Sequence, residues 1–188
     1  MTRPVYVGPW RIDVTVRDGL DVPVSVARLA RAIGAALDAG GAPKPASIGL
    51  ILSSDTELAA LNAEHLHEHG ATDVLSFPLL PPDAFPPHTG GATLDGPKPN
   101  GVTPFARPPG FRLHLGDIVV SVERAIEQAE AGRGGSTGDV RWSPADELRL
   151  LVTHGTLHVC GWDHALPDEE AAMRTLEARL LAMARQAP

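Results

Sequence analysis

The sequence predicts an α+β fold, in which a small mixed β-sheet of about four strands packs with about five helices. Stretches with a hydrophobic period of two residues alternate with stretches that have the helical period. The 188 residues include 43% hydrophobic and 21% charged residues, as in an ordinary globular protein. We therefore expect a single domain over residues 1–188.

The predicted order of elements is β-α-β-α-β-β-α-α-α. Residues 10–16 alternate apolar and polar side chains, which is typical of a half-buried strand. Pro23 begins an amphipathic helix, and Gly40-Gly41 ends it. The other strands are predicted at 48–52, 72–77 and 113–121, and the other helices at 54–68, 122–131, 144–160 and 167–186.

One long segment does not fit a compact core. Residues 78–112 contain ten prolines and five glycines. This composition exceeds the level at which regular structure is lost, and a loop of this length in a compact domain is mobile or functional. We expect residues 78–112 to form a mobile insert.

The net charge of the chain limits how it could bind a nucleic acid. The net charge of −7 opposes nucleic-acid binding through the overall field, so an RNA would need a local cluster of cations. Arg28 and Arg31, one helical turn apart, are candidates for RNA contact, and a solvated helix face would have the same pattern.

Several features predict a cytoplasmic protein without a membrane partner. No apolar run approaches the roughly 20 residues that cross a bilayer, and no apolar signal core follows the N-terminus. The single cysteine, Cys160, cannot form an internal disulfide, which agrees with a reducing compartment.

Three histidines near the end of the predicted helix 144–160 have the spacing of metal ligands. His154 and His158 lie at i and i+4, on one face of the helix. Gly161 stands where helices often end in a left-handed turn, which would bring His164 to the same ion. Three imidazoles suit one zinc ion and leave a fourth position for water. The site is therefore predicted to be catalytic, with a zinc-bound water as the nucleophile and the general base unknown.

Two acidic residues are candidates for orienting these histidines. Glu147 falls on the same helical stripe as His154 and could accept its second N–H, although a first-turn Glu also fits the helix dipole. Asp163, beside His164, could hydrogen-bond a ligand or brace the turn. Both assignments stay open at this point.

Gly155 weakens the hypothesis that the protein is a zinc protease or amidase. The spacing of the three histidines is that of the extended zinc-protease motif, in which a Glu directly follows the first histidine as general base. Here that position is Gly155. A protease or amidase would lack its proton acceptor, so a zinc hydrolase of that class is the weaker hypothesis.

Four segments together resemble the YbeY family of bacterial rRNA-maturation endoribonucleases. They occur in the family's order over about residues 10–183, apart from the Pro-rich insert, and Met173 and Glu177 in the last helix also fit. The segments are Leu61-Asn62, Thr72 to Pro78, Leu115 to Ile118, and His154 to His164.

The resemblance implies a zinc-dependent, single-strand-specific endoribonuclease. The implied roles are maturation of the 3′ end of 16S rRNA and ribosome quality control. The implied partners are rRNA, the small ribosomal subunit and an Era-type GTPase. The implied metal ligands are the same three histidines.

One departure from the family pattern bears on activity. Leu66 replaces an Arg that the family carries, and a Leu cannot stabilise developing phosphoryl charge. Arg112 and Arg124, beside the segment Leu115 to Ile118, are candidate substitutes for contacting RNA. The main alternative is accordingly a ribosome-assembly factor with a structural zinc and little nuclease activity.

Overall fold

The computed structural model describes residues 2–65, 70, 72–88, 110–132 and 142–186. The strands are β1 (Thr2–Val7), β2 (Trp10–Val16), β3 (Ala46–Ser53), β4 (Val74–Pro78) and β5 (Leu113–Ser121). The helices are α1 (Val26–Ala39), α2 (Asp55–His65), α3 (Val122–Glu130), α4 (Pro144–Val159) and α5 (Pro167–Gln186). The predicted α+β fold is confirmed.

Within the described residues, five strands form one mixed sheet in the order β1-β2-β3-β5-β4. β2, β3 and β5 are parallel neighbours, and β1 and β4 add to the two edges in antiparallel fashion. The expectation of about four strands was wrong because β1 was missed. Pro4 argues against a central strand, but β1 lies at the edge of the sheet, where a strand tolerates proline.

The main core lies between one face of the sheet and the helices α1 and α4. Ile12, Ile48, Leu50 and Ile118 from the sheet belong to the same fully buried cluster as Leu148 from α4. α5 packs outside α1 and α4, so α4 is covered by the sheet on one side and by α5 on the other. A helix buried on both sides is apolar almost all round, which explains the long run of buried residues in α4.

Local signals set both ends of α4. The Ser143 side chain accepts from the Asp146 backbone N–H at 3.2 Å, and Asp146 accepts from the Ser143 backbone N–H at 3.1 Å. This capping box satisfies two amide groups that the first turn leaves without partners. At the other end Gly161 has φ of +80°, and the Trp162 N–H donates to the Leu157 carbonyl at 3.0 Å. The predicted start and left-handed stop are both present.

The first part of the proposed insert is packed against the fold. Phe85, in a segment that follows β4, is buried in the main core. Pro82 contacts the position of Gly161, and the His88 ring stacks on Trp162 with 4.4 Å between ring centroids. Mobility therefore remains a prediction for residues 89–109, which lie outside the described residues.

Candidate metal centre and family

The three predicted metal ligands meet at the C-terminal end of α4. One ring nitrogen from each of His154, His158 and His164 lies within 4.8 Å of those of the other two. His154 and His158 come from consecutive turns of α4, and His164 comes from the segment after the left-handed turn. The helix and its stop thus bring together residues that are ten positions apart.

The hydrogen bonds of His154 and His158 determine which nitrogen faces the centre. The Nδ1 of His154 is 2.7 Å from Oε1 of Glu177, and the Nδ1 of His158 is 2.9 Å from the Trp162 carbonyl oxygen. Carboxylate and carbonyl oxygens only accept, so each Nδ1 carries the proton. In a neutral imidazole the Nε2 atom then has a free lone pair.

The two Nε2 atoms lie 3.0 Å apart. Two lone pairs facing each other repel unless a cation lies between them. Two nitrogens bound to one tetrahedral zinc at about 2.0–2.1 Å would be separated by about 3.3 Å. The separation in the structure is close to that value, so the donor set fits a metal ion.

Burial and neighbouring imidazoles keep His158 neutral. The pKa of His158 is lowered from 6.5 to about 4, chiefly by burial and then by the neighbouring His154 and His164. Metal ligation requires the neutral ring. His158 is therefore ready to bind a metal ion at neutral pH without first losing a proton.

Glu177, not Glu147, orients His154. Glu147 is buried, and its carboxylate accepts from Nε1 of Trp142 at 2.5 Å. The Nδ1 atom of His154, which was predicted to contact Glu147, is instead hydrogen-bonded to Glu177. The missed residue belongs to α5 and lies 23 positions after His154.

Asp163 braces the turn that carries the third histidine. Its Oδ1 accepts from the backbone N–H of His164 at 2.7 Å. Its negative charge also acts to raise the pKa of His158, although less than burial lowers it. This hydrogen bond agrees with a role for Asp163 in bracing the turn.

Gly155 lets α4 approach the sheet closely. A Cβ at this position would lie 2.8 Å from Cγ2 of Ile118 and 3.0 Å from Oγ of Ser76. Ser76 also donates a hydrogen bond to the Gly155 carbonyl at 3.1 Å. A glutamate in this position would have no room, so the general base of the zinc proteases is excluded here on steric grounds as well.

The histidines open onto a cleft of about 750 Å³ between β4 and the turn after α4. Its described lining is mostly uncharged and contains neither Lys nor Arg. Leu66, the position at which the family resemblance implies an Arg, lies outside the described residues. The lining includes Asn62, His65, Asp73, Ser76, Phe77 and Asp163.

The two substitute cations are engaged elsewhere. Arg124 pairs with Asp55 at 3.0 Å and with Glu127 at 3.2 Å. Arg112 donates to the Pro9 carbonyl and lies over the Tyr6 ring at 5.7 Å. Neither is among the residues that line the cleft. Arg28 and Arg31 line a separate groove.

Comparisons with known proteins agree with the geometry. The family model of Endoribonuclease YbeY matches residues 19–185. The Endoribonuclease YbeY of Thermobifida fusca is 37% identical over 171 residues, which cover 91% of this chain and 92% of the relative. That of Salinispora tropica is 38% identical over 172 residues, which cover 91% and 94%.

A solved structure is also similar at low identity. The solution structure of TM1509 from Thermotoga maritima is 19% identical, with a TM-score of 0.48, and the match covers 94% of this chain and 93% of that one. The family assignment rests on the sequence relatives and confirms the resemblance. This chain belongs to the endoribonuclease YbeY family, whose members hydrolyse phosphodiester bonds.

Proposed function

We propose that this chain is a zinc-dependent, single-strand-specific endoribonuclease that matures the 3′ end of 16S rRNA and contributes to ribosome quality control. The observation that carries the proposal is the convergence of three imidazoles, two with their Nε2 lone pairs 3.0 Å apart, in a chain related to endoribonucleases. When bound, zinc would supply Lewis acidity that lowers the pKa of water and polarises the phosphoryl oxygen.

The residues of this chain would hold the ion and orient its ligands. His154, His158 and His164 would hold the ion, while Glu177 and the Trp162 carbonyl would keep the first two rings in the ligating tautomer. Asp163 would hold the turn of His164. The cleft beside β4 would take the RNA strand.

The cellular part of the proposal concerns partners and location. We propose rRNA and the small ribosomal subunit as partners, an Era-type GTPase as a further one, and the cytoplasm as the compartment, since rRNA is matured there. In the described part of the chain, every helix is too short or too polar to cross a membrane.

A direct test compares His158→Ala with His114→Ala. Both remove one imidazole, but His114 lies outside the cleft. Wild type and His114→Ala are expected to purify with one zinc per chain and to cut single-stranded RNA, whereas His158→Ala should lose both properties. Full zinc retention in His158→Ala would contradict the ligand set, and normal 16S 3′ ends in cells that lack the protein would contradict the rRNA role.

A second candidate is a ribosome-assembly factor with a structural zinc. It is favoured by one observation, the lack of Lys and Arg among the described residues that line the cleft. Cations stabilise the charge that develops in phosphoryl transfer. If zinc-loaded wild type fails to cut RNA while loss of the gene still impairs small-subunit assembly, the assembly factor is the better description.

A further inference from the structure

A groove between α1, α4 and α5 carries three arginines above an apolar floor. Arg28 and Arg31 come from α1 and Arg149 from α4, and the groove has a volume of about 200 Å³. Met183, which is 60% exposed, stands at its edge. The apolar floor is made of Ala32, Ala35, Leu180 and Ala184.

The positive charge of this groove is only partly neutralised. Asp146 pairs with Arg149 at 2.8 Å and with Arg185 at 3.2 Å, so one carboxylate serves two guanidinium groups. Arg28 and Arg31 are exposed, and neither has an acidic partner within the described residues. A local positive excess therefore exists in a chain whose net charge is −7.

The groove adjoins the histidine cluster. Leu180 follows Glu177 by three residues on α5, and Thr153, which also lines the groove, directly precedes His154 on α4. One helical turn advances about 5.4 Å, so the groove begins about one turn from the contact between His154 and Glu177. Cations that are lacking in the described lining of the cleft are thus available close by.

We propose that this groove binds a nucleotide of the single-stranded RNA substrate that lies beyond the two nucleotides joined at the cleavage site. The phosphate would lie on Arg28 and Arg31, because guanidinium groups bind phosphate oxygens in bidentate fashion. The base would lie on the apolar floor, as unstacked bases do on apolar and aromatic side chains. A base in a duplex is stacked and paired, so the groove adds to the preference for single strands.

This inference rests on the proposed function for the identity of the occupant. An acidic protein segment could also pair with the arginines. RNA is favoured because the groove lies one helical turn from the histidine cluster of a chain that belongs to an endoribonuclease family. The two occupants are separated by the experiment.

The test measures binding of a non-cleavable 2′-O-methyl RNA of about twelve nucleotides to the zinc-loaded protein. The variant Arg28→Ala/Arg31→Ala is compared with Arg3→Ala/Arg11→Ala, which removes the same charge from β1 and β2. The groove variant should raise the Kd by about tenfold. It should also lower the slope of log K against log salt by about 0.7, since one phosphate contact on a single strand contributes about that much.

Two outcomes would overturn the inference. One is a groove variant whose Kd and salt slope equal those of the control variant. The other is unchanged RNA binding together with an Arg28- and Arg31-dependent affinity for a polyglutamate peptide, which would assign the groove to an acidic protein. Arg28→Gln/Arg31→Gln repeats the comparison if the alanine variant fails to fold.

Failure of the groove and failure of the proposed function are distinguishable. If wild type does not cut RNA, the nuclease proposal fails, while the binding comparison still decides the role of the groove. If wild type cuts and the inference is correct, the groove variant should lose kcat/KM on the long RNA and retain it on a dinucleotide, which is too short to reach the groove.

Discussion

Two polar clusters in this protein each contain a histidine hydrogen-bonded to a carboxylate, but their geometry differs. At the end of α4, His154 contacts Glu177 through Nδ1 and directs Nε2 towards His158. On β5, His114 lies 3.1 Å from Oγ of Ser47 through Nδ1 and 3.2 Å from Oδ1 of Asp117 through Nε2. Each cluster thus joins an imidazole to a carboxylate.

The two clusters differ in whether a ring nitrogen is left with a lone pair for a ligand. His114 uses both nitrogens within its own cluster, so no lone pair is left for a ligand. His154 and His158 each use one nitrogen and direct the other to a shared point. A carboxylate beside a histidine is therefore a poor indicator of a metal site, whereas the convergence of unengaged nitrogens is a good one.

Removal of one imidazole from each cluster tests this contrast with the largest expected effect. His154→Ala should abolish zinc binding at micromolar concentrations, because two ligands cannot hold the ion tightly. Wild type with zinc at about 100 times its Kd should gain about 2.7 kcal/mol of stability, seen as a higher Tm. His114→Ala should keep that gain. Equal zinc-dependent shifts of Tm in both variants would contradict the contrast.

Neutralising the two carboxylates should have a smaller effect. Glu177→Gln leaves an acceptor for Nδ1 of His154 but removes the charge, so zinc affinity measured by competition with a chelator should fall by about 10–100-fold. Asp117→Asn is the matched change in the other cluster, and its zinc affinity should equal that of wild type. A loss of affinity in both variants would point to a general loss of stability instead.

Substitution of one glycine beside each cluster tests the same contrast through side-chain packing. Gly155→Ala forces a Cβ to within 2.8 Å of Ile118 between α4 and β5. The overpacking cost of about 1–3 kcal/mol exceeds the roughly 1 kcal/mol that Ala gains in a helix. Because His154 is the adjacent residue, zinc affinity should fall together with the unfolding free energy.

The matched change is Gly49→Ala. Its Cβ would meet Oδ1 of Asp117, the far end of a half-exposed side chain that can rotate away. We expect a smaller loss of stability in urea unfolding and no change in zinc affinity. A greater loss for Gly49→Ala than for Gly155→Ala would show that the second cluster contributes more to the fold than its exposure suggests.

The smallest expected effect concerns Cys160. This thiol is fully buried, and burial raises its pKa to about 12. It should therefore stay protonated and unlabelled by thiol reagents in the native protein at pH 8, and react only on unfolding. Cys160→Ala should bind zinc as wild type does. Rapid native labelling, or loss of zinc in the variant, would place the thiol in the metal site.

Sequence was sufficient where structure depends on local signals. Ser143-Pro144 and Gly161 predicted both ends of α4, because caps and left-handed turns depend on nearby residues. The histidine spacing predicted the cluster for the same reason. β1 was missed because Pro4 weakens the strand pattern, and its edge position depends on pairing with β2.

The partner of His154 could not be predicted from helical periodicity. That periodicity pointed to Glu147, seven residues earlier on the same helix, whereas Glu177 reaches His154 from α5. Contacts between helices depend on how they pack, and a single sequence does not contain that information in any short window. The same limit applied to Arg112 and Arg124, whose pairing with distant groups removes them from the cleft.

The position of Glu177 in α5 has a consequence for biosynthesis. All three histidines precede α5 in the chain, so the ribosome makes the metal ligands before the carboxylate that orients His154. Chains emerge from the N-terminus and fold in that order. A nascent chain therefore holds its histidines without their orienting carboxylate until α5 has been translated and has docked, and tight metal binding is expected only from that point.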